Sequence, residues 1–149
     1  MRTNRTSRVV RNLVFAVASA FIFAGIASAQ GPVSSGQFTL PFDAQWGGAT
    51  LPAGDYTFKL NSTALPAFVR IEQGQRNVAL VMAQSSEASD ATKQSELIVT
   101  RSGGRARIRV LHLAGVGTDF YYSAPKAESR EMASAPELIQ HLPVVLNGK

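Results

Sequence analysis

The sequence predicts an all-β fold, an antiparallel sandwich or small barrel of about seven to eight strands. Three observations predict it. Short runs alternate apolar and polar residues, as in Tyr56-Thr57-Phe58-Lys59-Leu60; successive strand side chains point to opposite faces, so such a run reads as a half-buried strand. Glycines punctuate the runs, at Gly47-Gly48, Gly74 and Gly103-Gly104. There is also no heptad and no internal repeat in the chain.

The first 29 residues read as a secretory signal. Arg2, Arg5, Arg8 and Arg11 form a basic start, Leu13 to Ala27 is apolar or small, and Ala27-Ser28-Ala29 is an Ala-x-Ala cleavage site. The apolar run is shorter than the roughly 20 residues a spanning helix needs. Cleavage leaves a single β domain over residues 30–149, with a flexible lead-in at 30–36 and a C-terminal extension at 126–149. It also changes the charge. The whole chain carries 15 basic and 10 acidic residues, net +5; four of the basic residues lie in the signal, which leaves 11 against 10. A general attraction to nucleic acid or anionic lipid therefore loses its support, and no nucleic-acid partner and no membrane span after cleavage are expected. Cysteine is absent, which excludes disulfides, thiolate zinc sites and Cys-His catalysis.

The organising stretch is Phe38 to Leu60. Phe38, Leu40 and Phe42 share one face of a first strand, and Pro41, which has no N–H to donate, makes it an edge or bulged strand. Gly47-Gly48 permits a sharp bend, and Trp46 is expected to pack over it. Pro52 and Gly54 suit a turn, after which Tyr56, Phe58 and Leu60 face one side while Asp55, Thr57 and Lys59 face the other. With this spacing, Phe38…Pro41-Phe42…Gly47…Leu51-Pro52-Ala53-Gly54-Asp55-Tyr56, the chain resembles a group of small secreted bacterial proteins without an assigned activity, in which a Leu-Pro-Ala-Gly-x-Tyr turn opens the domain. The likeness runs from about Gly36 to Pro125. It implies a β fold and carries over no catalytic or binding residue.

Next, Asn61 to Pro66 reads as a loop, and Ala67 to Gln73 as a strand with Val69 and Ile71 inward. Gln73-Gly74-Gln75 is a hairpin turn. The apolar run Val78 to Ala83 is expected to be a central strand covered on both faces. Gln84 to Lys93 is small and polar and reads as an exposed loop. Ser95 to Arg101 and Arg105 to Leu113 form a hairpin around Ser102-Gly103-Gly104, and Thr118 to Ser123 is a further strand. Ser134-Ala135-Pro136-Glu137 has capping-box spacing, which predicts a short helix through about His141, ended by Pro143. Val144 to Leu146 would be a last strand.

The most distinctive polar feature is Arg101, Arg105, Arg107 and Arg109, the candidate anion-binding residues. On an unbroken strand, residues 105, 107 and 109 share a face, with guanidinium groups about 7 Å apart. Such a stripe suits an anionic envelope polymer; it equally suits a solvated face that pairs with Glu96 and discourages edge aggregation. His112 and His141 lack metal-ligand spacing. Gly115-Val116-Gly117 has Phe120 where a dinucleotide loop needs its third glycine. No cofactor, metal or catalytic residue is assigned, although a Ser-His-Asp triad assembles in space and is not read from spacing.

The leading expectation is a secreted or periplasmic, non-enzymatic β domain that binds a ligand or supports the envelope. The alternatives are an extracellular hydrolase with an unrecognised site and a weak polyanion binder acting through the arginine stripe. The signal reading is directly testable: intact-mass measurement of exported protein is expected to give a chain beginning at Gln30, and a mass retaining residues 1–29 refutes it.

Overall fold

The computed structural model describes residues 32–122 and 137–147; the signal segment and most of the C-terminal extension lie outside them. The described part contains eleven strands: β1 (Ser34–Leu40), β2 (Ala44–Trp46), β3 (Ala49–Leu51), β4 (Gly54–Leu60), β5 (Phe68–Gln73), β6 (Arg76–Met82), β7 (Ser85–Ala88), β8 (Glu96–Ser102), β9 (Arg105–Leu113), β10 (Thr118–Tyr121) and β11 (Leu138–Leu146). The all-β expectation holds, with more strands than expected.

The hydrogen-bonded order is β3-β2-β9-β8-β11-β1-β4-β5-β6, and β10 joins β9 to β7. All pairings are antiparallel except β2 with β9. The chain itself nearly closes this sheet into a barrel. β6 pairs with β5, whereas its immediate continuation, β7, pairs with β10. At the crossover the Gln84 amide donates to the Tyr121 carbonyl at 2.9 Å.

β9 is the strand on which this arrangement turns. One edge carries β8. The other is shared: Ala106–Ile108 take β2 and Val110–Leu113 take β10. Between them the register against β8 shifts, so that Ile98 faces Val110 while Val99 faces Ile108. Arg109 is the extra residue of this β-bulge, and a bulge resets the in-out alternation. Ala106 and Ile108 before it and Leu111 and Leu113 after it all enter the core.

The core fills with aromatic side chains. Phe38 stacks on Tyr56 at 5.5 Å between ring centroids and meets Trp46 edge-on at 5.6 Å; Trp46 in turn meets Tyr122 edge-on at 5.3 Å. Such geometries add about 0.5–1.5 kcal/mol beyond area burial. Gly36 makes room for this core. A Cβ there would lie 2.6 Å from both the Phe58 ring and the Val145 carbonyl oxygen. The turn at Gly103-Gly104 needs glycine for a different reason, since its φ values are +57° and +78°, a region that other residues enter at a cost.

Several expectations require correction. β1 is not an edge strand: it lies between β11 and β4 and ends at Leu40, so Pro41 stands outside the ladder. Val78 to Ala83 is not covered on both faces. β6 ends the hydrogen-bonded order, and Val78, Leu80 and Met82 are 42%, 64% and 53% exposed; apolar content alone does not imply two-sided burial. Within the expected 84–93 loop, residues 85–88 form β7, which is held by backbone pairing and carries no apolar signature. The short C-terminal helix does not form over residues 138–141. Ser134 to Pro136 lie outside the described residues, but Leu138 onward is β11, recruited by β8 and β1. Pro143 sits where β11 passes from β8 to β1, a position that tolerates a missing donor. Trp46 and Gly47-Gly48 behave as expected: a two-residue turn joins β2 to β3 with the indole fully buried.

The packing generates two predictions. Phe58 is fully buried, so Phe58→Ala is expected to cost about 3–5 kcal/mol. Lys59 points outward and pairs with Glu72 at 2.8 Å with 46% of its side chain exposed, so Lys59→Ala is expected to cost less than about 1 kcal/mol. Urea melts of both variants test the register; equal losses would refute it. The second prediction concerns Tyr122, whose hydroxyl is buried without a hydrogen-bond partner and whose ionisation burial pushes well above the ordinary tyrosine range. Above pH 10, the ordinary value, an unfolded chain releases a proton that the folded chain keeps, so this group's contribution makes stability fall as pH rises. Tyr122→Phe is expected to remove that contribution and, by deleting an unpaired buried hydroxyl, to leave neutral-pH stability equal or higher. Melts at neutral and alkaline pH measure both effects; a large loss at neutral pH would refute the assignment.

Candidate functional site

The four arginines do not form one exposed row. Arg105 and Arg109 are exposed, but Arg107 is only 2% exposed. Arg101 faces Ala106 in register and Arg107 faces Thr100, so alternation places Arg101 and Arg107 on opposite faces of the sheet. The Arg101 guanidinium lies over the Phe42 ring, 4.5 Å from its centroid, a cation–π contact. A continuous stripe requires an unbroken strand with a solvated outer side. The bulge at Arg109 breaks the first condition. Burial of Arg107, together with its neighbours Thr100 and Ser102, breaks the second.

A cluster that spacing does not reveal forms around His112. The register aligns Glu87, Asp119, His112 and Glu96 across β7, β10, β9 and β8. His112 Nδ1 lies 2.5 Å from Asp119 Oδ1 and 3.3 Å from Ser89 Oγ. These are the residue types of a nucleophilic triad, but in a triad the acid and the hydroxyl occupy different ring nitrogens. Here both address Nδ1, while Nε2 is buried without a hydrogen-bond partner. The arrangement anchors the imidazole on the sheet and does not activate Ser89. The signal that would have found it is the tight connection between β9 and β10, which sets Asp119 opposite His112. His141 is exposed and pairs with Glu96 at 3.0 Å. Among the described residues no group of three His, Asp or Glu side chains is placed to hold a metal.

The outer side of β11, β1 and β4 carries a groove of about 660 Å³. Gln37, Thr39, Asp55 and Thr57 line it with polar groups, and Pro41, Pro143 and Val145 supply apolar surface. Strand pairing sets these positions: Gln37 lies opposite Thr57 and Val145, and Thr39 opposite Asp55. The Thr39 hydroxyl donates to Asp55 Oδ1 at 2.6 Å, which fixes the carboxylate against β1. Asp55 is the one charged lining residue. None of these side chains stands out in the sequence as a site residue, because polar alternation on a strand reads as ordinary solvent exposure. Behind the groove, Phe38 and Tyr56 belong to the aromatic core, so its base is rigid.

Comparison with family models, curated proteins and solved structures finds no match to this chain.

Proposed function

We propose that the protein is a non-enzymatic binding domain of the secreted or periplasmic space, and that its ligand lies in the groove over β11, β1 and β4. The observation that carries this reading is the groove itself, where hydroxyl, amide and carboxylate groups converge beside proline and valine surface on a rigid base. That combination of apolar contact and a few placed polar groups is what ligand sites share. The leader-like N-terminal segment and the likeness to small secreted bacterial proteins support the location.

The hydrolase alternative has less support. Glycoside hydrolysis uses two carboxyl groups across the bond to be cut, and the groove has Asp55 alone; the Ser89, His112 and Asp119 geometry does not make a nucleophile. A transmembrane barrel fits poorly as well. Its exterior would be an apolar band around a polar interior, whereas here the interior is aromatic and aliphatic and β1 and β4 present Gln37, Thr39, Asp55 and Lys59 outward. The described residues contain no helix long and apolar enough to cross a membrane. Exposed Arg105 and Arg109 favour the polyanion alternative as the second reading.

To test the groove, wild-type protein and Thr57→Trp, which fills it, are recovered from the exported fraction and bound molecules identified by mass spectrometry. The expected result is a ligand on wild type that is lost from the variant while both melt alike. Equal ligand on both overturns the groove assignment. Salt-sensitive heparin retention that disappears in an Arg105→Gln, Arg109→Gln double variant would favour the polyanion reading instead.

A further inference from the structure

The groove over β11, β1 and β4 is chemically one-sided. β1 and β4 pair without a break, with Thr39 opposite Asp55 and Gln37 opposite Thr57. Alternation puts all four side chains on the outer face. Directly opposed residues have Cβ atoms about 5 Å apart, and a step of two along a strand adds about 7 Å. The four therefore mark the corners of a small rectangle, and every corner carries an oxygen able to accept a hydrogen bond. The only charge among them is the Asp55 carboxylate, and no lysine, arginine or histidine lines the groove. Among the described residues no cation pairs with Asp55. Lys59 lies roughly 13 Å further along β4 and donates to both oxygens of Glu72, at 3.0 and 2.8 Å.

Taking this groove as the ligand site, on which the reading rests, we propose that it recognises a primary alkylammonium group, with the ammonium over Asp55, Thr57 and Gln37 and the alkyl stem along Val145 and Pro143. Charge complementarity selects a cation, because an anion would meet the carboxylate with no positive group to offset it. The Thr39 hydroxyl decides which cation. It already donates to Asp55 Oδ1 at 2.6 Å, so the side-by-side pair of oxygens that a guanidinium fork prefers is half taken. A compact ammonium has three N–H donors and needs three separate acceptors. Asp55 Oδ2, Thr57 Oγ1 and Gln37 Oε1 are the acceptors on hand. Val145, paired with Gln37, and Pro143 offer an aliphatic stem apolar surface beside them. A single solvent-exposed carboxylate binds a cation weakly and in a salt-sensitive way, so the neutral acceptors carry the selectivity.

The test titrates exported wild-type protein with cadaverine and follows backbone amide resonances. The expected result is a saturable shift at Gln37, Thr39, Asp55 and Thr57 that weakens as salt rises. Glutarate, an anion of the same length, is expected to leave these resonances in place, and tetramethylammonium, which has the charge and no N–H, to bind several-fold more weakly. Asp55→Asn, which keeps an acceptor for Thr39, is expected to lose affinity several-fold while melting at the wild-type urea concentration; Thr57→Val is the second variant should Asp55→Asn disturb the fold. A lysine tripeptide blocked at both ends that binds more tightly than cadaverine identifies a peptide side chain as the source, and the reverse order a free amine; either order supports ammonium recognition. No shift with either amine, equal binding by tetramethylammonium, or unchanged affinity in both variants overturns the proposal. The groove is judged separately. If the amines fail and Thr57→Trp still removes the co-purified molecule, the groove stands and only this specificity falls; if Thr57→Trp removes nothing, the groove itself falls.

Discussion

The fold depends on β9 serving two different neighbours along one edge. A strand offers one row of hydrogen-bonding groups on each side, and here the row runs first to β2, parallel, and then to β10, antiparallel. The hand-over needs a break in register, which the extra residue Arg109 supplies. If the strand ran through Arg109 with unbroken alternation, either Ile108 or Leu111 would point away from the core. The ends of β2 and β10 meet at the break, and Trp46, the last residue of β2, and Tyr122, the residue just after β10, meet edge-on there. The Tyr122 amide donates to the Arg109 carbonyl at 2.8 Å, so the bulge is stitched by the same residue whose ring covers it. Both rings keep a buried polar atom unpaired, the indole Nε1 and the phenol oxygen. Aromatic packing offsets the hydration lost at those atoms, and at a fully buried tryptophan it outweighs that loss.

Local alternation made much of this architecture legible. Tyr56, Phe58 and Leu60, Val69 and Ile71, and Leu97 and Val99 all occupy the faces read from their spacing, because each lies on a strand with one covered side. The errors share a cause: each concerned a property set by a neighbour distant in sequence. Whether Val78 to Ala83 is central or marginal depends on what flanks it. Whether residues 85–88 pair depends on β10, and whether 138–141 coil into a helix depends on the open edge of β8. Pro41 misled for the opposite reason, since a chain terminates a strand at proline as readily as it places proline on an edge.

The candidate surfaces were less legible than the fold. The arginine pattern was conspicuous in sequence and dispersed in space, because a single bulge and one buried neighbourhood undo a period-two argument. The His112 cluster and the groove were inconspicuous in sequence. Their members come from three or four strands, and only register brings Thr39 to Asp55 or Asp119 to His112. Polar groups on a sheet exterior become a site through concavity, which no residue-level pattern encodes.

β11 occupies the middle of the sheet, between β8 and β1. Gly36 is paired with Leu146, so the first strand reaches one of its two neighbours only after every other described strand has been made. Contacts so distant in sequence slow folding, because the loop must close before the pairing rewards it. A nascent chain made only as far as Tyr122 has every other described strand and still lacks the one that joins the two halves of the barrel. Until β11 arrives, the β1 and β8 edges stay open and the aromatic core has no wall on that side. The order of strands thus holds the sheet incomplete, with its two halves unjoined, until β11 has been made.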